Sequence, residues 1–117
     1  MGVSEHTLKD AYALVSAEEA QVEEERKSVV YCIRLKETQE IIYVGYSANF
    51  EHRKNQHRYG ISTGKEEALY LYGYCKKNDI RLADVEIIPI FEDKDLTLLR
   101  RLESDLIKLL KPKGNLI

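Results

Sequence analysis

Two short segments rich in β-branched and aromatic residues are separated by only five polar residues. The segments are residues 29–35 and 41–46, and the polar stretch is residues 36–40. Strand-forming runs joined by so short a polar loop are typical of a β-hairpin. If the loop pairs Leu35 with Ile41, the hairpin has one register, and that register determines which side chains share a face of the sheet.

The register places two tyrosines on the same face of the hairpin. Counting back from the loop puts Ile33 opposite Tyr43 and Tyr31 opposite Gly45. Tyr31 and Tyr43 are then diagonal neighbours, roughly 7–8 Å apart at the backbone. Gly45 has no side chain and leaves space beside the Tyr31 ring. We expect the two phenols and this space to form the floor of a pocket, although aromatic residues that only pack in a sheet give the same pattern.

Downstream of the hairpin, helical segments alternate with one more strand-like run. Ser47 is a suitable N-cap for the first of these helices, and Pro112 ends the last one. Pro89 in the third strand predicts an edge position or a β-bulge, because proline has no N–H to donate to a neighbouring strand. The predicted elements are helices over residues 47–59, 66–78 and 95–110, a loop over 60–64 and a strand over 85–91.

The beginning of the chain differs from the rest in charge. Residues 1–27 carry a net charge of −4, whereas the remaining residues carry +2. Ser4 can cap a helix that ends near Arg26, and this helix has one narrow apolar stripe. The stripe consists of Leu8, Tyr12, Val15 and Val22. We therefore predict an acidic amphipathic helix over residues 1–27, which offers a surface for a possible homodimer, and a separate domain over residues 28–117.

Length and overall charge limit the classes of protein that fit. A chain of 117 residues has room for one compact domain. The net charge of −2 does not indicate a globally basic nucleic-acid-binding protein. A local basic cluster around Lys54 and Arg58 can nevertheless contact a phosphate backbone.

Cysteine content and hydropathy indicate the cellular compartment of such a chain. Cys32 and Cys75 are too few for a disulfide framework and have no metal-binding spacing, so we expect reduced thiols that are either in the core or half-buried. No apolar run approaches the roughly 20 residues of a membrane-spanning helix. We therefore expect a cytoplasmic, intracellular protein without a membrane segment.

Three residues on two predicted helices have side chains suited to phosphodiester cleavage. Arg53 and His57 are four positions apart and share one helix face. Glu103 interrupts a leucine-rich helix at the border of its apolar stripe, where a carboxylate is rare unless it is paired or metal-bound. A guanidinium can hold phosphate oxygens, a carboxylate a divalent metal, and an imidazole a proton in transit. The structural alternatives are a solvated Arg53, an exposed or half-buried His57, and a Glu103 that pairs with Arg100 or another basic residue at the surface.

The order of these residues resembles the GIY-YIG nuclease family over residues 28–117. The first motif corresponds to Val29-Val30-Tyr31 and the second to Tyr43-Val44-Gly45. Valines replace the leading glycine and the isoleucines of these motifs, but both tyrosines and the second glycine are kept. The family's further positions correspond, in order, to Arg53, His57, Glu103 and Asn115.

The resemblance implies a fold and a reaction. The expected fold is a small α/β domain of the α+β type, in which helices flank a three-stranded antiparallel sheet. The expected reaction is hydrolysis of duplex or branched DNA at one divalent ion, Mg²⁺ or Mn²⁺, held by Glu103. Arg53 would neutralise charge on the phosphoryl oxygens. Tyr31 would orient or deprotonate the attacking water, with Tyr43 and His57 assisting.

The resemblance also suggests which residues contact the substrate. The expected substrate-binding residues are Gly45, Lys54, Arg58 and Asn115, and the asparagine is expected mainly to pin the chain end against the site. Two alternatives stay open. The domain can have lost turnover and bind only nucleic acid or a protein partner. The acidic N-terminal helix can also define an interaction protein without affinity for nucleic acid.

Overall fold

The computed structural model describes residues 28–64 and 69–116, which form one α+β domain. Its three strands and three α-helices confirm the predicted antiparallel sheet flanked by helices. The predicted acidic helix, and with it the possible homodimer surface, lies outside the described residues. The elements are β1 (Ser28–Leu35), β2 (Ile41–Ser47), α1 (Phe50–Thr63), α2 (Tyr70–Lys77), β3 (Val85–Asp93) and α3 (Leu96–Leu110).

The sheet has the order β2-β1-β3, so the first strand lies in its centre. Strand β2 pairs with β1 in the predicted register, with Tyr31 opposite Gly45 and Ile33 opposite Tyr43. A register shift next to Ile33 then places Arg34, not Leu35, opposite the first residue of β2. The hairpin register is therefore right at the tyrosines and wrong only at the loop, where a bulge absorbs one residue.

Strand β3 has both features that its proline predicts. It lies at the edge of the sheet, and its pairing with β1 is irregular next to the proline. Tyr31 is opposite Pro89 and Val30 is opposite Phe91, which leaves Ile90 without a partner on β1. An edge strand with a bulge tolerates proline because the missing N–H is not needed for the ladder.

Alternating residues of β1 divide the core between two faces of the sheet. The face that carries Tyr31 packs against α1 and α2, and the face that carries Val30 packs against α3. Strands with both faces covered are buried throughout, as β1 is over most of its length. Cys32 and Cys75 are buried and free, as expected.

Helix α1 begins later and ends later than its sequence suggests. Its N-cap is Asn49, whose side-chain oxygen accepts a hydrogen bond from the backbone of His52 at 3.3 Å. Ser47 instead accepts from the backbone N–H of Asn49 at 3.0 Å. The helix continues through Gly60 to Thr63 and ends in a left-handed Gly64 at φ 64°. The predicted loop over 60–64 is therefore wrong.

Helix α3 and the tail after it agree with their predictions. Asp95 caps the helix by accepting from the backbone N–H groups of Thr97 and Leu98. Beyond the helix, Gly114 donates its N–H to the carbonyl of Ile42 at 2.7 Å. The tail thereby covers part of the outer edge of β2, which an unprotected sheet would leave open. Among the described helices there is no candidate for a membrane-spanning segment.

Candidate active site

Tyr31, Tyr43 and His57 form a compact aromatic cluster between the sheet and α1. The two tyrosine rings are 6.2 Å apart between centroids. The imidazole lies 5.4 Å from the Tyr31 ring and 5.3 Å from the Tyr43 ring. The hairpin register brings the two phenols together, and α1 adds the histidine from one turn after Arg53. All three side chains are buried.

Gly45 makes room for this cluster, because the two phenols occupy the volume beside it. A Cβ atom on Gly45 would lie 2.7 Å from the hydroxyl oxygen of Tyr31 and 2.9 Å from Cε2 of Tyr43. Real Cβ atoms do not approach other atoms so closely, so the phenols occupy the volume that a side chain would need. The pocket expected beside the Tyr31 ring is therefore filled by that ring.

His57 is fully buried and hydrogen-bonded through both ring nitrogens. Nε2 lies 2.6 Å from the hydroxyl oxygen of Tyr31, and Nδ1 lies 3.1 Å from the hydroxyl oxygen of Tyr72. Burial, reinforced by the positive charge of Arg53, lowers the pKa of His57 to about 4. The imidazole is therefore neutral at pH 7, with one nitrogen as donor and the other as acceptor.

The two phenols of the cluster resist ionisation. Burial raises the pKa of Tyr31 well above its ordinary value, and the neighbouring Tyr43 acts in the same direction. A hydrogen bond with Arg53 and its positive charge oppose this shift. Burial also raises the pKa of Tyr43, again against Arg53. Both tyrosines are thus protonated in the free protein at pH 7.

Arg53 lies between the aromatic cluster and solvent. It is half-buried, and its Nη1 donates to the side-chain oxygen of Gln56 at 3.2 Å. Its charge acts on Tyr31, Tyr43 and His57 alike. Because an arginine stays charged at any relevant pH, it is a permanent positive charge at the mouth of the cluster.

Glu103 approaches the same region from helix α3. Burial raises the pKa of its carboxyl, while the backbone N–H of Tyr46 and the charges of Arg100 and Arg53 act in the opposite direction. Its charge in turn acts on Tyr43. Glu103 therefore interacts electrostatically with Arg53 and opposes the ionisation of Tyr43, although it belongs to the helix on the other face of the sheet.

The donor set around Glu103 suits a weakly held, hydrated divalent ion. Within residues 28–64 and 69–116, no three His, Cys, Asp or Glu side chains are grouped so that they could hold a metal ion. Mg²⁺ commonly binds one or two carboxylates and takes its other ligands from water and substrate phosphate. A single half-buried carboxylate fits that pattern and does not fit a closed structural metal centre.

Tyr46 and Tyr72 were not predicted as parts of the site. Tyr46 accepts a hydrogen bond from Nε of Arg100 at 2.8 Å, and the guanidinium also lies 5.4 Å from its ring. This contact holds Arg100 beside Glu103. Tyr72 contacts His57, and its place beside Leu71 and Cys75 on the apolar side of α2 was the sequence signal for its burial.

Two predicted substrate-binding residues of α1, Lys54 and Arg58, differ in their distance from the aromatic cluster. Nζ of Lys54 pairs with Glu51 at 3.1 Å and lies 5.4 Å from the centroid of the Phe50 ring. Arg58 is exposed on the surface of the helix. Lys54 therefore borders the cluster through the Phe50 ring, whose centroid lies 5.5 Å from that of the Tyr31 ring, whereas Arg58 lies on the solvent side of the helix.

Asn115 holds the C-terminal tail against strand β2. Its side-chain oxygen accepts from the backbone N–H of Val44 at 2.9 Å, and its side-chain nitrogen donates to the carbonyl of Val44 at 3.0 Å. Both ends of the amide are occupied in this way. The contact agrees with the expectation that Asn115 pins the chain end beside the second motif.

Comparison with known proteins identifies the family. A family model described as the GIY-YIG catalytic domain matches residues 27–115, which confirms the resemblance found in the sequence. The chain belongs to the GIY-YIG family, and membership implies nuclease-type chemistry on nucleic acid. Neither the curated proteins nor the solved structures gave a match to this chain.

Proposed function

We propose that this protein is a metal-dependent DNA endonuclease that hydrolyses phosphodiester bonds. The observation that carries the proposal is the buried cluster of Tyr31, Tyr43 and His57 from β1, β2 and α1, on which the charges of Arg53 and Glu103 act. Such a group offers a proton acceptor, a fixed positive charge and a metal-binding carboxylate together. Membership of the GIY-YIG family supports the same class of reaction.

Glu103 is the residue that would hold Mg²⁺ or Mn²⁺. When bound, the ion polarises the scissile phosphate and stabilises the leaving oxygen. The positive charge of Arg53 acts on the carboxyl of Glu103, and in this proposal the two side chains contact the same phosphate. In that position the guanidinium donates to the phosphoryl oxygens, whose negative charge grows in the transition state.

Tyr31 and His57 are suited to move one proton in a relay. The water oxygen attacks phosphorus while a water proton passes to the oxygen of Tyr31; the bond to the leaving oxygen breaks, and that oxygen takes a proton from solvent water. At the same time the phenolic proton of Tyr31 passes to Nε2 of His57, 2.6 Å away. The tyrosine ends as it began, and the histidine becomes an imidazolium ion. Tyr43 packs beside both groups and keeps them aligned.

A relay fits this site better than a standing tyrosinate. The pKa of Tyr31 is raised by burial, so a phenolate is not present at pH 7 before substrate binds. Tyr31 also has no exposed surface in the free protein. Because Arg53 is its polar neighbour towards solvent, we expect phosphate binding to draw the guanidinium outwards and admit a water beside the phenol.

The proposal is tested by incubating the full chain with intact duplex, nicked and branched DNA, each with Mg²⁺ and with a chelator. The expected result is Mg²⁺-dependent strand cleavage that the chelator abolishes. Variants Arg53→Ala and Glu103→Gln serve as controls against a contaminating nuclease. DNA binding without cleavage of any substrate would contradict the proposal and favour an inactive binding module, whereas absence of binding would favour an interaction protein.

A further inference from the structure

Tyr72 of helix α2 lies directly behind the histidine of the aromatic cluster. Its side chain is 5% exposed, and its hydroxyl oxygen is 3.1 Å from Nδ1 of His57. The rings of the two residues meet edge to face, with centroids 5.9 Å apart. Tyr72 thus contacts the nitrogen of His57 that faces away from Tyr31.

The backbone carbonyl of Gln56 gives this chain of hydrogen bonds a direction. The Tyr72 hydroxyl donates to that carbonyl at 3.4 Å, and a carbonyl can only accept. With its proton directed at that carbonyl, the oxygen of Tyr72 offers a lone pair to Nδ1 of His57, and this arrangement requires the ring proton to be on Nδ1. In a neutral imidazole Nε2 is then the acceptor, and the hydroxyl of Tyr31 is its donor.

Close packing fixes the position of the Tyr72 ring. A Cβ atom at position 60 of helix α1 would lie 2.2 Å from Cε2 and 2.3 Å from Cζ of Tyr72. Gly60 therefore lets the ring approach the backbone of α1 and brings its hydroxyl within reach of both His57 and Gln56. Because the ring has little freedom there, the hydroxyl stays at one place.

We infer that Tyr72 is a positioning residue that keeps His57 in the tautomer protonated at Nδ1, so that Nε2 is free to take the proton of Tyr31. This inference rests on the proposed nuclease reaction for its catalytic consequence. Its structural content, the tautomer of one buried histidine, can be measured in the free protein without DNA or metal.

The first test is ¹⁵N NMR of the imidazole nitrogens in the full-length protein at pH 7. The chain has three histidines, so the signals of His57 are assigned by their loss in His57→Gln. The wild type should show protonated Nδ1 and unprotonated Nε2, and Tyr72→Phe should lose this preference. If His57 of the wild type is protonated at Nε2, the inference is overturned whatever the activity of the protein. This measurement needs no variant, so the test stays decisive even if Tyr72→Phe does not fold.

The second test is single-turnover cleavage with Tyr72→Phe, which deletes only the hydroxyl. We expect the rate at saturating protein to fall on the order of a hundredfold, within the range that a positioned acid or base contributes. DNA affinity should not change, because Tyr72 is buried and does not reach the substrate. Tyr70→Phe is the matched control, since Tyr70 is exposed on the same helix and should cleave at the wild-type rate.

The two tests separate this inference from the proposed function. An unchanged rate or an unchanged tautomer in a folded Tyr72→Phe overturns the positioning role while leaving the nuclease proposal intact. Absence of cleavage by the wild type contradicts the nuclease proposal, and the tautomer of His57 then decides the structural part alone.

Discussion

The hydroxyl oxygen of Tyr31 lies 2.6 Å from Nε2 of His57, although the two residues are 26 positions apart in the chain. The contact joins the central strand β1 to helix α1, and neither side chain has exposed surface. A buried hydrogen bond this short ties the proton of the tyrosine to the histidine. The pair therefore contributes both to the stability of the domain and to the proposed reaction.

Replacing Tyr31 by phenylalanine should slow cleavage and also lower stability. The variant keeps the ring but removes the proton that passes to His57, so the single-turnover rate should fall by roughly 10²- to 10⁴-fold. It also leaves a buried ring nitrogen without its partner, which costs about 1–3 kcal/mol in the free energy of unfolding. Cleavage rates and urea denaturation measure the two effects. If Tyr31→Phe cleaves at the normal rate and Tyr43→Phe cleaves slowly, the proton acceptor is Tyr43 and not Tyr31.

The stability of the domain should depend on the protonation of His57. Its pKa is about 4 in the folded protein against an ordinary value of 6.5, because burial and Arg53 disfavour the imidazolium. Between those values the unfolded chain binds more protons, so stability is fully present above about pH 6.5 and declines as the pH falls to 4. The loss amounts to roughly 3 kcal/mol.

Urea denaturation at several pH values between 4 and 7 measures this dependence. The difference between wild type and His57→Gln isolates the histidine from the carboxylates that titrate in the same range. His52→Gln is the control, because His52 is exposed on the same helix and should retain the wild-type slope. An equal slope in His57→Gln and wild type would show that His57 is not the responsible group.

Arg53→Ala should lose rate without losing metal binding. The guanidinium is proposed to act on transition-state charge, and removing one such preorganised donor costs on the order of a hundredfold or more in rate. Arg53→Lys should recover little of the lost rate, because an ammonium lacks the planar, paired N–H donors with which a guanidinium binds two phosphate oxygens. Arg58→Ala, on the exposed side of the same helix, should change only DNA affinity and its salt dependence. Equal rate losses for the two arginines would contradict a specific role of Arg53.

Gly45→Ala should displace the phenol of Tyr31. The new methyl group would lie 2.7 Å from the hydroxyl oxygen of Tyr31 and 2.8 Å from its Cζ, so the phenol would have to shift. We expect a loss of about 1–3 kcal/mol in unfolding free energy, which is typical of overpacking, together with slower cleavage. Gly73→Ala in helix α2 provides a comparison, since alanine favours a helix. Wild-type stability and rate in Gly45→Ala would mean that the cluster has more room than the structure shows.

The sheet was largely predictable because its signals are local. The five-residue loop between two strand-forming runs predicted the pairing of Tyr31 with Gly45. Pro89 predicted an edge position or a bulge, and its strand has both. Gly60 was misleading for a physical reason. Glycine is the usual residue at helix ends, yet here it lies inside α1 because the Tyr72 ring needs its empty side. That requirement comes from a distant element, which periodicity along α1 does not reveal.

The site was predictable only in part, because several of its contacts also depend on packing between elements that are distant in the chain. The spacing of Arg53 and His57 indicated one helix face, and Glu103 stood out in a leucine-rich helix. The burial of His57 between Tyr31 and Tyr72 depends on how α2 packs against α1, and the local pattern around His57 is equally compatible with an exposed side chain. The role of Tyr46 in holding Arg100 likewise arises from packing between β2 and α3.

The proposed role of Glu103 as metal ligand is best tested by two measurements, calorimetric Mn²⁺ titration and single-turnover cleavage. Both are made on wild type, Glu103→Gln and Asp105→Asn. Glutamine keeps the size of the side chain but removes its charge, so metal affinity should fall by more than about tenfold, or ~1.4 kcal/mol, and cleavage at low Mg²⁺ should fall with it. DNA affinity without metal should persist or rise slightly. Asp105→Asn, an exposed position of the same helix, should match the wild type in both measurements. Full cleavage by Glu103→Gln at low Mg²⁺ would remove the metal ligand from the proposed site and contradict a metal-dependent nuclease built around it.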